Sequence, residues 1–296
     1  MRKVALRSHA LLPRRYDDRK VLATTVDAWG RALWLLCPDA ELVPNPYGRP
    51  SPVPRRRPYD ALLVISDAGA VQERVLRNVT LHVYDLDALP NGRIILDGYG
   101  GTDEPNTQIY GRDGRPRRRL SMGRAMGFLM ADRLNHLWSA YGDEGVFADP
   151  ISSAGLVRWD SGGNRRWGYT PPEGGRHIVD VYALNVGDGV AHAAYYPTFP
   201  LLQAHADGRI HVRKSRVTGP SGIAVHGDDV VMLGGDGQHD RLHRCRMTDQ
   251  DVLVVDEAVL TMPNGAPLKR YARPVGRGRR LYLHGASSKQ WYVLEV

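Results

Sequence analysis

Short apolar runs alternate along the chain with turns rich in glycine, aspartate and arginine, and one combination of turn and run recurs. It stands at Gly30 (RALWLL follows), Gly92 (RIIL), Asn135 (HLWSAY), Gly189 (VAHAAYY), Asp229 (VVMLGG) and Gly278 (RRLYLHG). The spacings of 62, 43, 54, 40 and 49 residues are those of a repeat with variable loops, so the repeat governs the fold. A preceding strand is predicted at 21–26 (VLATTV), 81–86 (LHVYDL), 178–184 (IVDVYAL) and 221–225 (SGIAV). A third runs into a tight turn in TQIYGRDGR, GLVRWDSGG, PLLQAHADGR and RLHRCRMTD. There the Asp-Gly and Gly-Gly pairs supply the positive φ that hairpins require. A fourth strand is predicted at 209–217 and 251–260.

Four strands per repeat and six repeats predict an all-β fold, a single six-bladed β-propeller domain over residues 1–296. The chain ends fit a closed ring. The 18 residues after Gly278 hold two strands, and together with the 30 residues up to Gly30 they match one repeat. The N-terminal strand at 3–12 (KVALRSHALL) is therefore expected to complete the sixth blade and cover its edge. The helix-like stretch 123–134 falls where a first strand is due and is read as strand.

Composition narrows the class. Apolar residues make up 42%, which excludes wholesale disorder, and 32 glycines with 20 prolines suit many short strands. The net charge of +8 is carried by arginine, since only five of the 40 basic residues are lysines. Arginine forks suit phosphate oxygens, but the clusters are scattered over the whole chain, which favours a compositional origin; nucleic acid is not the favoured partner. Two distant cysteines, Cys37 and Cys245, form no framework and suit a reduced compartment. No apolar run has the length of a membrane span. The expected setting is cytoplasmic, with a small molecule as partner.

In such a fold one face carries the long loops, here 38–59, 97–106, 141–154, 195–200, 234–240 and 284–289. Residues at the ends of second strands or the starts of first strands are expected at the channel mouth. Asp143, Glu144, His177 and His284 are the candidate acids and bases. Asp97, Tyr141, Asp180, Tyr195 and Tyr196 are candidate ligand contacts. Asn106, Glu144 and Asp236 form a candidate oxygen set for a divalent cation, Ca²⁺, Mg²⁺ or Mn²⁺. The other reading of each is a loop tip that caps a hairpin. His192 and His211 fall inside strands and are read as structural.

The most distinctive string is Tyr141-Gly142-Asp143-Glu144-Gly145-Val146-Phe147, whose glycines are expected to let both carboxylates turn inward. It resembles a group of actinobacterial six-bladed propeller proteins that carry Y-x-D-E-G-V-F after the third-blade hairpin. More distantly, the layout is similar to the gluconolactonase, strictosidine-synthase and NHL-repeat groups. That resemblance implies a divalent metal on the channel axis, with Glu144, Asn106 and Asp236 in similar places by topology and not by matched motif. Two functions follow as expectations. One is a small-molecule enzyme or ligand binder with hydrolase, lyase or isomerase chemistry. The other is a non-enzymatic interaction scaffold that binds a protein or nucleic acid on the same face, with Tyr47, Phe147 and Phe199 exposed.

Overall fold

A computed structural model describes residues 1–45, 52–101, 104–235, 237–268, 273–285 and 287–296. Strand accounts for 57% of the chain and helix for 5%, so the all-β reading holds. The chain falls into two compact units, Ala10–Met122 on one side and Met1–His9 with Gly123–Val296 on the other.

The Ala10–Met122 unit contains two four-stranded antiparallel sheets. One consists of Arg19–Val26, Ala32–Pro38, Tyr59–Asp67 and Ala70–Val79, the other of His82–Leu89, Arg93–Tyr99, Thr107–Tyr110 and Pro116–Leu120. Alternate residues of these strands point one way, and those of the inner faces (Leu33, Leu35, Leu63, Leu86, Leu96, Tyr110) form a single apolar cluster. Within the 38–59 insertion, Leu42–Val43 pairs with Val53–Pro54; Tyr47 lies outside the described residues.

In the larger unit, Met126–Ala131, His136–Tyr141, Leu156–Asp160 and Arg165–Gly168 form a further four-stranded sheet. The stretch with helix-like composition is thus a strand, as expected. Its other strands join in a thirteen-stranded sheet. One antiparallel ladder in it comprises Asp180–Gly187, Val190–Tyr196, Leu201–His205 and Ile210–Ser215. A second comprises Gly222–His226, Asp229–Leu233, Arg241–Met247 and Asp251–Thr261. A third comprises Val275–Arg277, Arg280–His284 and Gln290–Glu295, with Arg7–Leu11 beside the last. Short parallel contacts, such as Asn185 opposite Gly276, link the ladders.

The N-terminal segment departs from expectation in one respect. It is two strands, not one. Arg2–Ala5 pairs in parallel with the outer strand Asp251–Thr261, and Arg7–Leu11 then takes the edge beside Gln290–Glu295. Leu6 is the hinge: its side chain is buried in an apolar cluster and its N–H donates to the Thr261 carbonyl. Arg7 and Glu295 form an ion pair across the second contact.

Two local devices recur. In the first, an aspartate closing a strand accepts the hairpin's N–H groups. Asp27 takes those of Trp29 and Arg31 and the Arg31 guanidinium. Asp132 takes those of Leu134, His136 and Gly189, and Asp160 those of Gly162 and Asn164. These are Asx turns, in which a side chain does the work of a backbone acceptor. Asp160 is the most exposed of the three. Asp160→Ala is therefore expected to cost only about 1 kcal/mol, read as a small drop in urea midpoint; a loss of folding would make this turn a keystone of its sheet.

The second device is a β-bulge in the first strand of four ladders. The pairing register skips Leu22, Tyr84, Gly127 and Tyr182, each of them an extra residue facing an unbroken partner strand. A bulge re-aims the side chain that it inserts. Tyr84 and Tyr182 are accordingly exposed by about two-fifths, unusual for tyrosines of a first strand.

Candidate functional site

Asp180 opens the strand Asp180–Gly187 and pairs directly with Tyr196, so the two side chains share one face of the ladder. Its carboxyl sits over the backbone of Gly142, where a Cβ would stand 3.6 Å from Asp180 Oδ1. Burial, with a further contribution from the charge of Asp143, raises its pKa above the usual carboxylate range, and Arg273 opposes the shift. The charge of Asp143 thus reaches Asp180, which joins two residues singled out from distant parts of the sequence. The Arg273 guanidinium lies 4.5 Å from the centre of the Phe128 ring.

Three rings continue the site. Phe199 meets Tyr182 edge-on at 4.9 Å between centroids and Tyr196 at 6.0 Å. Phe199 holds a φ of 50°, and its N–H donates to the Tyr195 carbonyl, so the turn after Tyr196 folds its ring back over the strand pair. Tyr182 and Tyr196 are both exposed. Tyr182 was not singled out from the sequence, because its orientation depends on the bulge. A carboxyl with raised proton affinity beside open aromatic faces can stack a ligand and exchange a proton with it.

The Asp143–Glu144 string differs from expectation. Residues Asp143–Ala148 form a short helix, and both carboxylates face solvent in its first turn instead of turning inward. The glycine at 145 serves another purpose: a Cβ there would lie 2.1 Å from the Arg124 carbonyl oxygen, so only glycine lets the helix dock. Asp143 Oδ1 accepts the Glu144 N–H. Phe147 is exposed, as expected.

Other candidates are placed in the interior. Tyr141 has no exposure, and its hydroxyl is hydrogen-bonded to Ser139 Oγ, which also accepts the Trp159 indole N–H. The Tyr195 hydroxyl meets that of Tyr169, and burial raises its pKa. Neither faces a solvent-filled mouth. The reason is strand parity: Tyr195 and Tyr196 are consecutive, so only one of them can point outward. His284 is buried edge-on against Trp291 with Nδ1 at 2.9 Å from the Gly285 carbonyl, and burial lowers its pKa. His177 is exposed on the loop before Asp180.

In the Ala10–Met122 unit, Asp97 is buried opposite Asp85. The side-chain oxygen of Asn106 accepts the Met122 N–H at 2.9 Å and the Thr107 hydroxyl at 3.3 Å. That oxygen is committed to holding a turn, which suits a metal ligand poorly. Asp236 lies outside the described residues. Among the described residues no group of three or more His, Cys, Asp or Glu side chains is placed to hold a metal ion. Of the expected cation set, Asn106 thus holds a turn and Glu144 stands exposed on the short helix.

No family model matches the chain, and no curated protein matches its sequence. Solved structures do. The Kluyveromyces lactis Hsv2 protein aligns with a TM-score of 0.53 at 10% identity, covering 94% of this chain and 73% of that one. A functionally unknown protein from Desulfotomaculum acetoxidans aligns with a TM-score of 0.53 at 11% identity, over 94% and 83%. Virginiamycin B lyase from Staphylococcus aureus aligns at 0.47 and 12% identity, over 98% and 99%. At these identities the likeness is one of fold: an all-β, propeller-type architecture. Among the described residues no helix is long and apolar enough to cross a membrane.

Proposed function

We propose that the chain is a single six-bladed propeller that binds a small polar molecule at Asp180, Tyr182, Tyr196 and Phe199. Six successive antiparallel repeats support the blade count, with Arg7–Leu11 supplying the last strand. The observation that carries the functional reading is the half-buried Asp180 carboxyl paired across the ladder with Tyr196, beside two exposed tyrosines. A rigid sheet places these groups, while the bulge at Tyr182 and the turn at Phe199 give the site its aromatic side.

In this reading Asp180 is the group that gives or takes a proton, and the rings stack on a flat or CH-rich face of the ligand. Burial, with the charge of Asp143 added, keeps the Asp180 proton affinity high, and Arg273 limits that effect. No step of this reading runs through a metal.

The test is a thermal-shift screen of sugars, polyols, amines and heteroaromatic acids on the wild type, Asp180→Asn and Tyr182→Ala. A true ligand raises the wild-type melting temperature in proportion to ln(1 + [L]/Kd) and fails to raise that of either variant. Ligands that stabilise all three proteins equally would remove the site. A wild type that responds only to oligonucleotides, with a steep salt dependence, would favour the scaffold reading instead.

A further inference from the structure

Two buried N–H donors stand opposite each other in the sheet that begins with Met126–Ala131, and neither has an acceptor. Trp138, on its second strand, pairs directly with Arg158 on the third, so the two side chains share one face. Trp167, on the fourth strand, continues the row on the other side of Arg158. The Trp138 and Trp167 rings meet edge-on at 6.1 Å between centroids although the Arg158 strand runs between theirs, so both lean towards the arginine. Trp138 has no exposure, and its indole Nε1 lacks a hydrogen-bond partner among the described residues. The same holds for the buried Nε of Arg158, a residue that is half-buried as a whole.

An indole N–H and a guanidinium can only donate, so the missing partner is an acceptor. Neighbouring carboxylates do not supply it. Asp160, next along the same face, holds Arg166 at 2.7 Å, Asp132 holds His136 at 2.8 Å, and Asp207 holds Arg209 at 2.8 Å. Among the described residues no carboxylate lies within ion-pairing distance of Arg158. Burial lowers its pKa, an effect that Asp132 and Asp207 oppose and Arg166 reinforces. The unpaired charge separates an anion from a water as the occupant. A water would need acceptors for its own hydrogens, whereas an anion only accepts and also neutralises the guanidinium. A carboxylate suits the planar fork best. Its two oxygens take parallel bonds from Nε and one Nη, and the oxygen on Nε keeps a lone pair for the Trp138 N–H.

We propose that Arg158 and Trp138 bind a small carboxylate from solution, the guanidinium holding both oxygens and the indole N–H adding a third bond to the inner one. This site is separate from the aromatic one. Asp207, whose charge acts on Arg158, lies in a hairpin turn at the other end of its ladder from Asp180 and Tyr196. The half-buried position of Arg158 leaves its fork a way in from solvent.

Nitrogen-15 NMR of the full chain, titrated with sodium acetate at constant ionic strength, tests this. The Trp138 indole and Arg158 Nε signals are expected to shift together along one saturable curve. The indole of Trp159, which donates to Ser139, is expected to stay in place. Arg158→Lys keeps a cation on an aliphatic stem but loses the fork, so the acetate dissociation constant read at Trp138 is expected to rise about tenfold or more. Trp138→Phe removes the indole donor and is expected to weaken binding read at Arg158; should it fail to fold, Arg158→Lys decides alone. A Trp138 signal that does not saturate, or a dissociation constant unchanged in Arg158→Lys, overturns the proposal. So does a long-lived water at the Trp138 N–H that persists in saturating acetate, which would make this a hydration site. Equal affinity for chloride would make it a site for any anion and overturn the carboxylate assignment.

Discussion

His192→Leu is expected to stabilise the protein by about 2–3 kcal/mol at neutral pH and to flatten its acid sensitivity. His192 lies in the strand Val190–Tyr196 with 4% exposure, and among the described residues neither ring nitrogen has a hydrogen-bond partner. The cross-strand neighbours have their donor or acceptor groups only partly engaged elsewhere, and the buried Asn185 Oδ1 has no hydrogen-bond partner among the described residues. The Asn185 amide donates to the carbonyls of Ile223 and Gly278, and the Gln203 oxygen accepts from Arg213. Leucine fills nearly the same space without leaving buried nitrogens unpaired.

Burial, reinforced by His205 and Arg213, lowers the imidazole pKa from its usual value to about 3. The unfolded chain binds this proton near pH 6.5 and the folded chain does not, so stability is complete above pH 6.5 and is lost as pH falls towards 3. At pH 5 the loss is about 2 kcal/mol relative to pH 7. Burial also depresses His82 and His284, so the wild-type slope is a sum, and the difference between wild type and variant isolates His192. Urea unfolding at pH 5, 6, 7 and 8 measures it. A variant less stable than wild type at pH 7 would show that the imidazole is held by a partner and that this account of it is wrong.

The strands were legible in the sequence because their apolar runs are short, bounded by turn residues and repeated. The second strands expected after Gly30, Gly92, Asn135, Gly189, Asp229 and Gly278 are strands in the structure. The site was legible only in part. Asp143 and Asp180 were named together, but the bulge that exposes Tyr182 leaves no mark in a hydrophobic pattern, because one inserted residue looks like an ordinary lapse in alternation. Glu144 was read as inward because glycines on both sides suggested a flexible turn, whereas close packing of Gly145 on Arg124 requires the helix. Tyr141 and Tyr195 could have been assigned to the interior from parity alone, had the register been known. The two-part N-terminal segment depends on Leu6, one leucine among several, which burial alone distinguishes.

Asp97→Asn is expected to stabilise the protein by about 2 kcal/mol at neutral pH, with a pH dependence opposite in sign to that of His192. Asp97 sits in Arg93–Tyr99 directly across from Asp85, at 4% exposure, and among the described residues its Oδ1 has no hydrogen-bond partner. Burial, with the charge of Asp85 added, raises its carboxyl pKa well above the usual range, and a hydrogen bond from the Gly98 N–H only partly opposes this. The folded chain therefore binds a proton that the unfolded chain releases near pH 4, so stability falls as pH rises from about 4 towards the folded value. Asparagine keeps the shape, carries no charge and offers an amide N–H towards Asp85. Urea midpoints from pH 4 to 8 are expected to show the variant close to wild type at pH 4 and increasingly above it towards pH 8. Because Asp97 was also expected to touch a ligand, the same variant separates two roles. A gain in stability with ligand-induced melting shifts unchanged assigns Asp97 to the fold, and a gain with those shifts abolished makes the strained carboxyl a cost retained for binding. A variant destabilised at pH 7 would mean that the ionised carboxylate is held in place, and the buried-proton account would fail.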